Sequence, residues 1–245
     1  LVGERLRVTS PQGRFAAGAE RLDGRTLTGI TPYGKHLWYD VTGILLHVHL
    51  GLYGKFTKGR QPSPAPRGAL RLRMETGESW VDLRGPTACD IVTEAQRDMV
   101  LARLGPDPLA RRPDPRTAFD RVSRSRSPIS ALLLDQRVLA GVGNVYRAEV
   151  LFRTGTSPFV PGKDLGEDRW RCIWDDLVSI MHAGARSGRI VTVRPADRPQ
   201  GPLNRGKSHY VYRRHGLPCR VCGAPIATGS TAGRSIAWCP LCQAT

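Results

Sequence analysis

The chain has 245 residues, with 37 Lys and Arg against 21 Asp and Glu, a formal net charge of +16 at pH 7. That length allows one large or two modest domains with a well-buried core, and that charge points to a polyanionic partner, as in DNA-binding, ribosomal or membrane-surface proteins. No apolar run approaches the roughly 18 residues of a membrane span and no signal-peptide pattern opens the chain, so we expect no membrane partner and a cytoplasmic or, in a eukaryote, nuclear location.

Residues 1 to about 90 read as β-rich. Short strand-like runs fall at 6–8, 27–30, 36–39, 44–50, 70–74 and 79–83, separated by turns such as Asp23-Gly24, Pro32-Tyr33-Gly34 and Thr76-Gly77. The run Leu70-Arg71-Leu72-Arg73-Met74 alternates with period two, which predicts Leu and Met inward and Arg outward. Many short strands at this spacing suggest a sandwich or barrel. The segment 58–68, with its three prolines, reads as a flexible hairpin loop.

From Thr93 the pattern turns helical. Thr93-Glu94-Ala95-Gln96 fits a capping box, and Gly105 follows as a stop. Rigid Pro-Asp connectors place a domain boundary between Asp90 and Asp114. A short helix is expected over 115–122, and Ser123-Arg124-Ser125-Arg126-Ser127 is either a solvated loop or a phosphate contact. Pro128 suits a helix start. A helix resumes over 144–153, and a third, over 165–187, sets Trp170, Ile173, Trp174, Leu177, Ile180 and Met181 on one core-facing side. A strand is expected at 190–193, followed by a Pro- and Gly-containing loop over 194–206. Cys89 and Cys172 sit among apolar residues and are expected to be buried free thiols.

Two stretches carry chemistry. Cys219-Arg220-Val221-Cys222 and Cys239-Pro240-Leu241-Cys242 are two Cys-x2-Cys pairs separated by sixteen residues, the spacing of a four-thiolate zinc site. Such a site has no open coordination position, so the one Zn2+ is structural. Two disulfides in a secreted domain are the alternative. A ribbon this small builds no core of its own, and metal binding of about 10–16 kcal/mol can drive its folding. The second stretch is Leu139-Ala140-Gly141-Val142-Gly143-Asn144. Two glycines permit a tight turn, and a helix starting at Asn144 offers free N–H groups to an anion such as a DNA phosphate. An ordinary helical packing motif is the alternative.

These residues, with Leu134-Asp135-Gln136, Val145-Tyr146-Arg147-Ala148-Glu149 and Trp238-Cys239-Pro240-Leu241-Cys242-Gln243, resemble the formamidopyrimidine-DNA glycosylase and endonuclease VIII family. The resemblance spans essentially the whole chain. It implies an α+β multidomain fold: an N-terminal β-sandwich (1–100), a helix–two-turn–helix domain (101–205) and a C-terminal four-cysteine zinc-finger hairpin (206–245). It implies a monomer that acts on damaged DNA, double- or single-stranded, in the bacterial cytoplasm at the nucleoid or in a nucleus. The implied activity is removal of oxidised bases followed by strand cleavage at the abasic site, with the damaged nucleotide flipped out of the stack.

By the same resemblance, Lys35 in Tyr33-Gly34-Lys35-His36-Leu37 is the catalytic-site lysine that contacts phosphate near the lesion. Asn144 and Arg234 bind the flanking backbone phosphates. Leu52 and Tyr53, in His49-Leu50-Gly51-Leu52-Tyr53-Gly54, are the wedge that fills the vacated stack; a buried strand end is the alternative for that loop. Leu-Tyr-Gly is closer to the endonuclease VIII branch, which tilts the expected substrates towards oxidised pyrimidines. The family begins Pro-Glu, and the proline amine forms a Schiff base with C1′. This chain begins Leu1-Val2-Gly3-Glu4-Arg5. The expectation is therefore that the nucleophile lies ahead of Leu1 and that these residues alone are inactive. A catalytically inactive damaged-DNA binder of the same fold is the second reading, and a generic zinc-ribbon protein the third.

Overall fold

A computed structural model describes residues 1–201 and 206–244. Part of the 194–206 loop (202–205), together with the expected boundary at 205/206, thus lies outside the described residues. The chain divides into two compact units, Leu1–Arg103 and Leu104–Thr245.

The first unit is a sandwich of two antiparallel four-stranded sheets. One runs β1 (Arg7–Thr9), β6 (Leu70–Glu75), β7 (Ser79–Arg84), β5 (Lys55–Arg60); the other runs β2 (Leu27–Tyr33), β3 (His36–Val41), β4 (Ile44–His49), β8 (Ala88–Val92). Period-two alternation sends Val41, Leu46, Val48, Leu72, Met74 and Leu83 into one core between the sheets. Helix α1 (Ala16–Leu22) adds Ala19 and Leu22 to that core. Helix α2 (Glu94–Leu101) starts at Thr93 with the full capping box, the Thr93 side chain accepting from Gln96 N and the Gln96 side chain accepting from Thr93 N.

One expectation about alternation is corrected. Arg73 does point away from Leu72 and Met74, yet it is only 3% exposed. Its guanidinium makes a fork to Asp82 at 2.6 and 2.9 Å and donates to Pro64 O at 2.7 Å. The Pro-rich segment thus lies over Arg73 and is not a bare loop, and its first residues belong to β5. Burial works against the Asp82 carboxylate, but hydrogen bonds from Arg73 and Arg84 outweigh it and hold its pKa below the ordinary range.

The second unit holds helices α3 (Pro115–Val122), α4 (Ile129–Leu132), α5 (Asn144–Arg153) and α6 (Glu167–Ser187), then the hairpin β9 (Ala227–Thr231) and β10 (Arg234–Trp238). Helix α6 buries Trp170, Ile173, Trp174, Leu177, Ile180 and Met181, the i, i+3, i+4, i+7 stripe of an amphipathic helix. Acids Glu167 and Asp168 open it, and Gly188 ends it in the left-handed conformation (φ 65°). Gly184 lets α5 approach, because a Cβ there would fall 2.1 Å from Tyr146 Oη.

The opposite side of α5 carries Ala148 and Phe152 into a second cluster with Tyr210, Val211, Ile226, Ile236 and Cys239. The cysteine hairpin therefore shares the core of α5. Glu149, fully buried, accepts from the backbone N–H groups of Tyr210, Val211 and Tyr212 and from the Thr192 hydroxyl. Residues 190–193 form no strand among the described residues; Thr192 and Val193 instead donate to Ser208 O. Cys89 is buried and its thiol is pushed up to about 12 by burial, whereas Cys172 is exposed, contrary to expectation, because it lies on the solvent side of α6. No described helix is long and apolar enough to cross a membrane.

Candidate nucleic-acid interface and metal centre

The four cysteines converge. The ligand atoms of Cys219, Cys222, Cys239 and Cys242 all lie within 4.8 Å of one another. Cys219 Sγ is 3.9 Å from Cys242 Sγ, and Cys222 Sγ is 3.4 Å from Cys239 Sγ. A disulfide would need about 2.05 Å. Four thiolates about 2.3 Å from one zinc stand about 3.8 Å apart, so this donor set fits the ion. Each Cys-x2-Cys turn also aims N–H groups at its sulfurs: Val221 N donates to Cys219 Sγ and Cys242 N to Cys239 Sγ, both at 3.4 Å. The chain thus carries one structural zinc site.

Between the two pairs, β9 and β10 are joined by the two-residue turn Ala232-Gly233, with φ of 51° and 68°. Positive φ at both positions is the tight hairpin turn whose twist matches the strands. It places Arg234 as the first residue after the turn, exposed, opposite Thr231.

The start of α5 meets this hairpin. Gly143 precedes the helix in extended conformation, and no side chain caps the first turn, so N–H groups of that turn have no intrahelical partner. Gln136 braces the approach: its amide donates to Leu134 O and Val142 O and accepts from Gly141 N. Asn144 Nδ2 donates to Ser235 O at 3.1 Å, across 91 residues of sequence. Asn144 and Arg234 are therefore brought to one place. Buried at the same spot is Arg147, which the sequence does not single out. A cation inside a helix looks like a surface residue until its surroundings are known.

Lys35 and the wedge pair sit in the first unit. Lys35 is exposed in the two-residue turn between β2 and β3, where Gly34 has φ 58°. Its carbonyl is 3.0 Å from His49 Nδ1, which ties the turn to the end of β4. The loop after His49 is folded by two glycines. A Cβ on Gly51 would lie 1.9 Å from Thr87 Oγ1, and one on Gly54 would lie 2.3 Å from Leu50 O. The two residues between are pushed outward, Leu52 to 70% exposure and Tyr53 to 88%. The buried-strand-end alternative is thereby excluded.

Behind Lys35 the outer face of the sheet carries a stacked row. His36 lies over His49 (4.6 Å) and His47 over Trp38 (4.2 Å), with His36 Nδ1 2.8 Å from His47 Nε2. Burial first, then the charges of His49, His47 and Lys35, pull the His36 pKa down to about 4.

Comparison with known proteins gives three family matches. Residues 3–89 match the formamidopyrimidine-DNA glycosylase N-terminal domain, 104–194 the formamidopyrimidine-DNA glycosylase H2TH domain, and 216–245 the zinc finger found in FPG and IleRS. The chain is 47% identical to Endonuclease 8 1 of Mycobacterium tuberculosis, over 99% of this chain and 93% of that protein. It is 35% identical to the formamidopyrimidine-DNA glycosylase of Thermus thermophilus, over 90% and 84%. Its fold matches MutM in complex with DNA containing carbocyclic 8-oxo-G, with a TM-score of 0.82 at 22% identity over 100% of this chain and 94% of that one. It also matches Lactococcus lactis Fpg bound to DNA containing an abasic site, with a TM-score of 0.83 at 23% identity and the same coverage.

Proposed function

Because this chain belongs to the formamidopyrimidine-DNA glycosylase and endonuclease VIII family, we propose that it is a base-excision-repair DNA glycosylase with abasic-site lyase activity, acting as a monomer on oxidised bases, pyrimidines above all. The observation that carries the reading is the outward pair Leu52 and Tyr53, held 70% and 88% exposed between two glycines that admit no side chain. Large apolar groups presented this way lose little by entering a base stack, and they offset the stacking lost when a nucleotide is flipped. Lys35, the free N–H groups of α5, Asn144 and Arg234 supply donors for backbone phosphates. The structural zinc keeps the hairpin that carries Arg234 in shape and takes no part in the reaction.

In this reading the family's amine nucleophile attacks C1′ as the glycosidic C1′–N bond breaks, and the departing base takes up a proton. The C1′–O4′ bond of the resulting aminal then breaks, O4′ taking up a proton as the sugar ring opens, and the iminium so formed acidifies the C2′ hydrogen. Loss of that proton expels the 3′ phosphate, and water then releases the enzyme. The reaction is placed in the bacterial cytoplasm, at the nucleoid.

The test uses protein with the family's Pro-Glu terminus, incubated with duplex or single-stranded DNA carrying an oxidised pyrimidine or 8-oxoguanine, with borohydride present. A covalent adduct, more abundant on the pyrimidine lesion, is expected. Tight binding with neither adduct nor strand cleavage would overturn the lyase assignment and favour the inactive damaged-DNA binder.

A further inference from the structure

The largest fully buried side chain among the described residues is a cation. Arg147 is 0% exposed and lies one helical turn after Asn144 on α5. Its Nη1 donates to Ser130 O at 3.3 Å and Thr231 Oγ1 at 3.0 Å. Its Nη2 donates to Ser235 O at 2.8 Å and to Asn144 Oδ1. Every one of these acceptors is neutral, and Nε has no partner. No carboxylate forms an ion pair with Arg147 among the described residues. Burying a guanidinium without a counter-charge is costly, so its retention here calls for a compensating role.

The hydrogen-bond pattern suggests that role. Asn144 lies between Arg147 and Ser235, its Oδ1 held by Arg147 and its Nδ2 donating to Ser235 O. An Asn amide is nearly symmetric in shape, and only its partners decide which end faces where. Arg147 has donors only, so it can accept nothing from the NH2 end. It therefore keeps the carbonyl oxygen inward, and the amide nitrogen, with one N–H beyond that used on Ser235, stays on the other side. The opposite rotamer would present a carbonyl oxygen to an incoming phosphate, acceptor against acceptor.

The same guanidinium ties the hairpin to α5. It bonds residues on both strands beside the turn, Thr231 on β9 and Ser235 on β10, while Ser130 Oγ donates to Thr231 Oγ1 at 3.2 Å. These are the residues that flank Ala232, Gly233 and Arg234. Burial, and then the charge of Arg234, lower the Arg147 pKa to about 10, so it stays cationic at neutral pH.

We propose that Arg147 is a positioning residue for phosphodiester recognition: it orients the Asn144 amide with its nitrogen towards the anion, sets the hairpin that carries Arg234, and finds its counter-charge in the bound phosphate. This rests on the proposed function, in which Asn144 and Arg234 bind DNA backbone.

A double-mutant cycle tests it on the full chain, with Kd measured on a duplex containing a stable abasic-site analogue. Zinc content and thermal melting are recorded for each variant. Asn144→Ala and Arg147→Met are each expected to weaken binding by at least about tenfold, the scale of one hydrogen bond to a charged group. In the Asn144→Ala background, Arg147→Met should cost a clearly smaller factor, because much of its effect runs through that amide. Equal factors in both backgrounds, or unchanged binding by a zinc-replete Arg147→Met protein, would overturn the proposal. Unchanged binding by Asn144→Ala would instead remove the phosphate reading on which it rests. Should Arg147→Met lose zinc, Thr231→Val reads the hairpin tie alone. A folded, zinc-replete Thr231→Val protein with weakened binding supports the role, and one with native binding counts against it.

Discussion

His36 shows how one residue's surroundings set a property of the protein. Its ring is half-enclosed in the outer face of the second sheet, 2.8 Å from His47 Nε2, so one of the two rings donates and the other accepts, and burial lowers the pKa of both. With its pKa lowered from 6.5 to about 4, the native protein leaves His36 neutral while the unfolded chain takes up a proton. The stability from this depressed group is therefore present above pH 6.5 and is lost as pH falls towards 4. Thermal midpoints should decline across that window, and His36→Phe, which keeps the stack, should flatten the decline. Identical pH profiles for the two proteins would remove His36 as the cause. Residue chemistry of this kind is only partly legible in the sequence. Lys35, Leu52, Tyr53, Asn144 and Arg234 stand in recognisable local strings. The burial of Arg73, Arg147 and Glu149 depends on segments distant in sequence, and alternation alone puts Arg73 outside.

At the scale of elements, the zinc hairpin is the piece least able to stand alone. Its fully buried contribution to the core that α5 completes is Ile226, Ile236 and the stems of Cys219 and Cys239, with Ala224, Ala237 and Trp238 half-buried against them, and its turn holds Ala232 at a φ of 51°, which a residue with a Cβ adopts at a cost. Metal binding of about 10–16 kcal/mol can hold such an element together. Removal of zinc by a strong chelator, or Cys239→Ser, is expected to melt the hairpin and abolish DNA binding while the helical signal of α6 persists. Trp238, packed edge-on against Phe159 at 4.8 Å, reports the loss in near-ultraviolet circular dichroism. A zinc-free protein with an intact Trp238 signal would show that the hairpin folds without metal. Elements with strong local signals are legible in the sequence alone: the capped α2, the 144–153 helix and the apolar stripe of α6. Strand β5, with the polar run Lys55-Phe56-Thr57-Lys58-Gly59-Arg60, is not, since it exists by pairing with β7.

For the molecule as a whole, the +16 charge governs how it meets a polyanion. A protein that neutralises phosphates releases condensed counterions, so log K should fall linearly with log salt, by about 0.9 per phosphate on duplex DNA. Titrations on one lesion duplex from low to physiological salt are expected to give such a line. A flat profile would mean that binding is not driven by phosphate contacts. The amino-acid sequence by itself determined the metal ligands, the family and the broad order of β-rich, helical and cysteine-bearing segments, because spacing, periodicity and composition are local properties. Only the tertiary structure decided which polar groups lie inside and what they hold. Arg147 became a positioning candidate, and Leu52 and Tyr53 an exposed pair, through packing between residues far apart in the chain, where neighbouring atoms and not neighbouring letters set burial and hydrogen bonding.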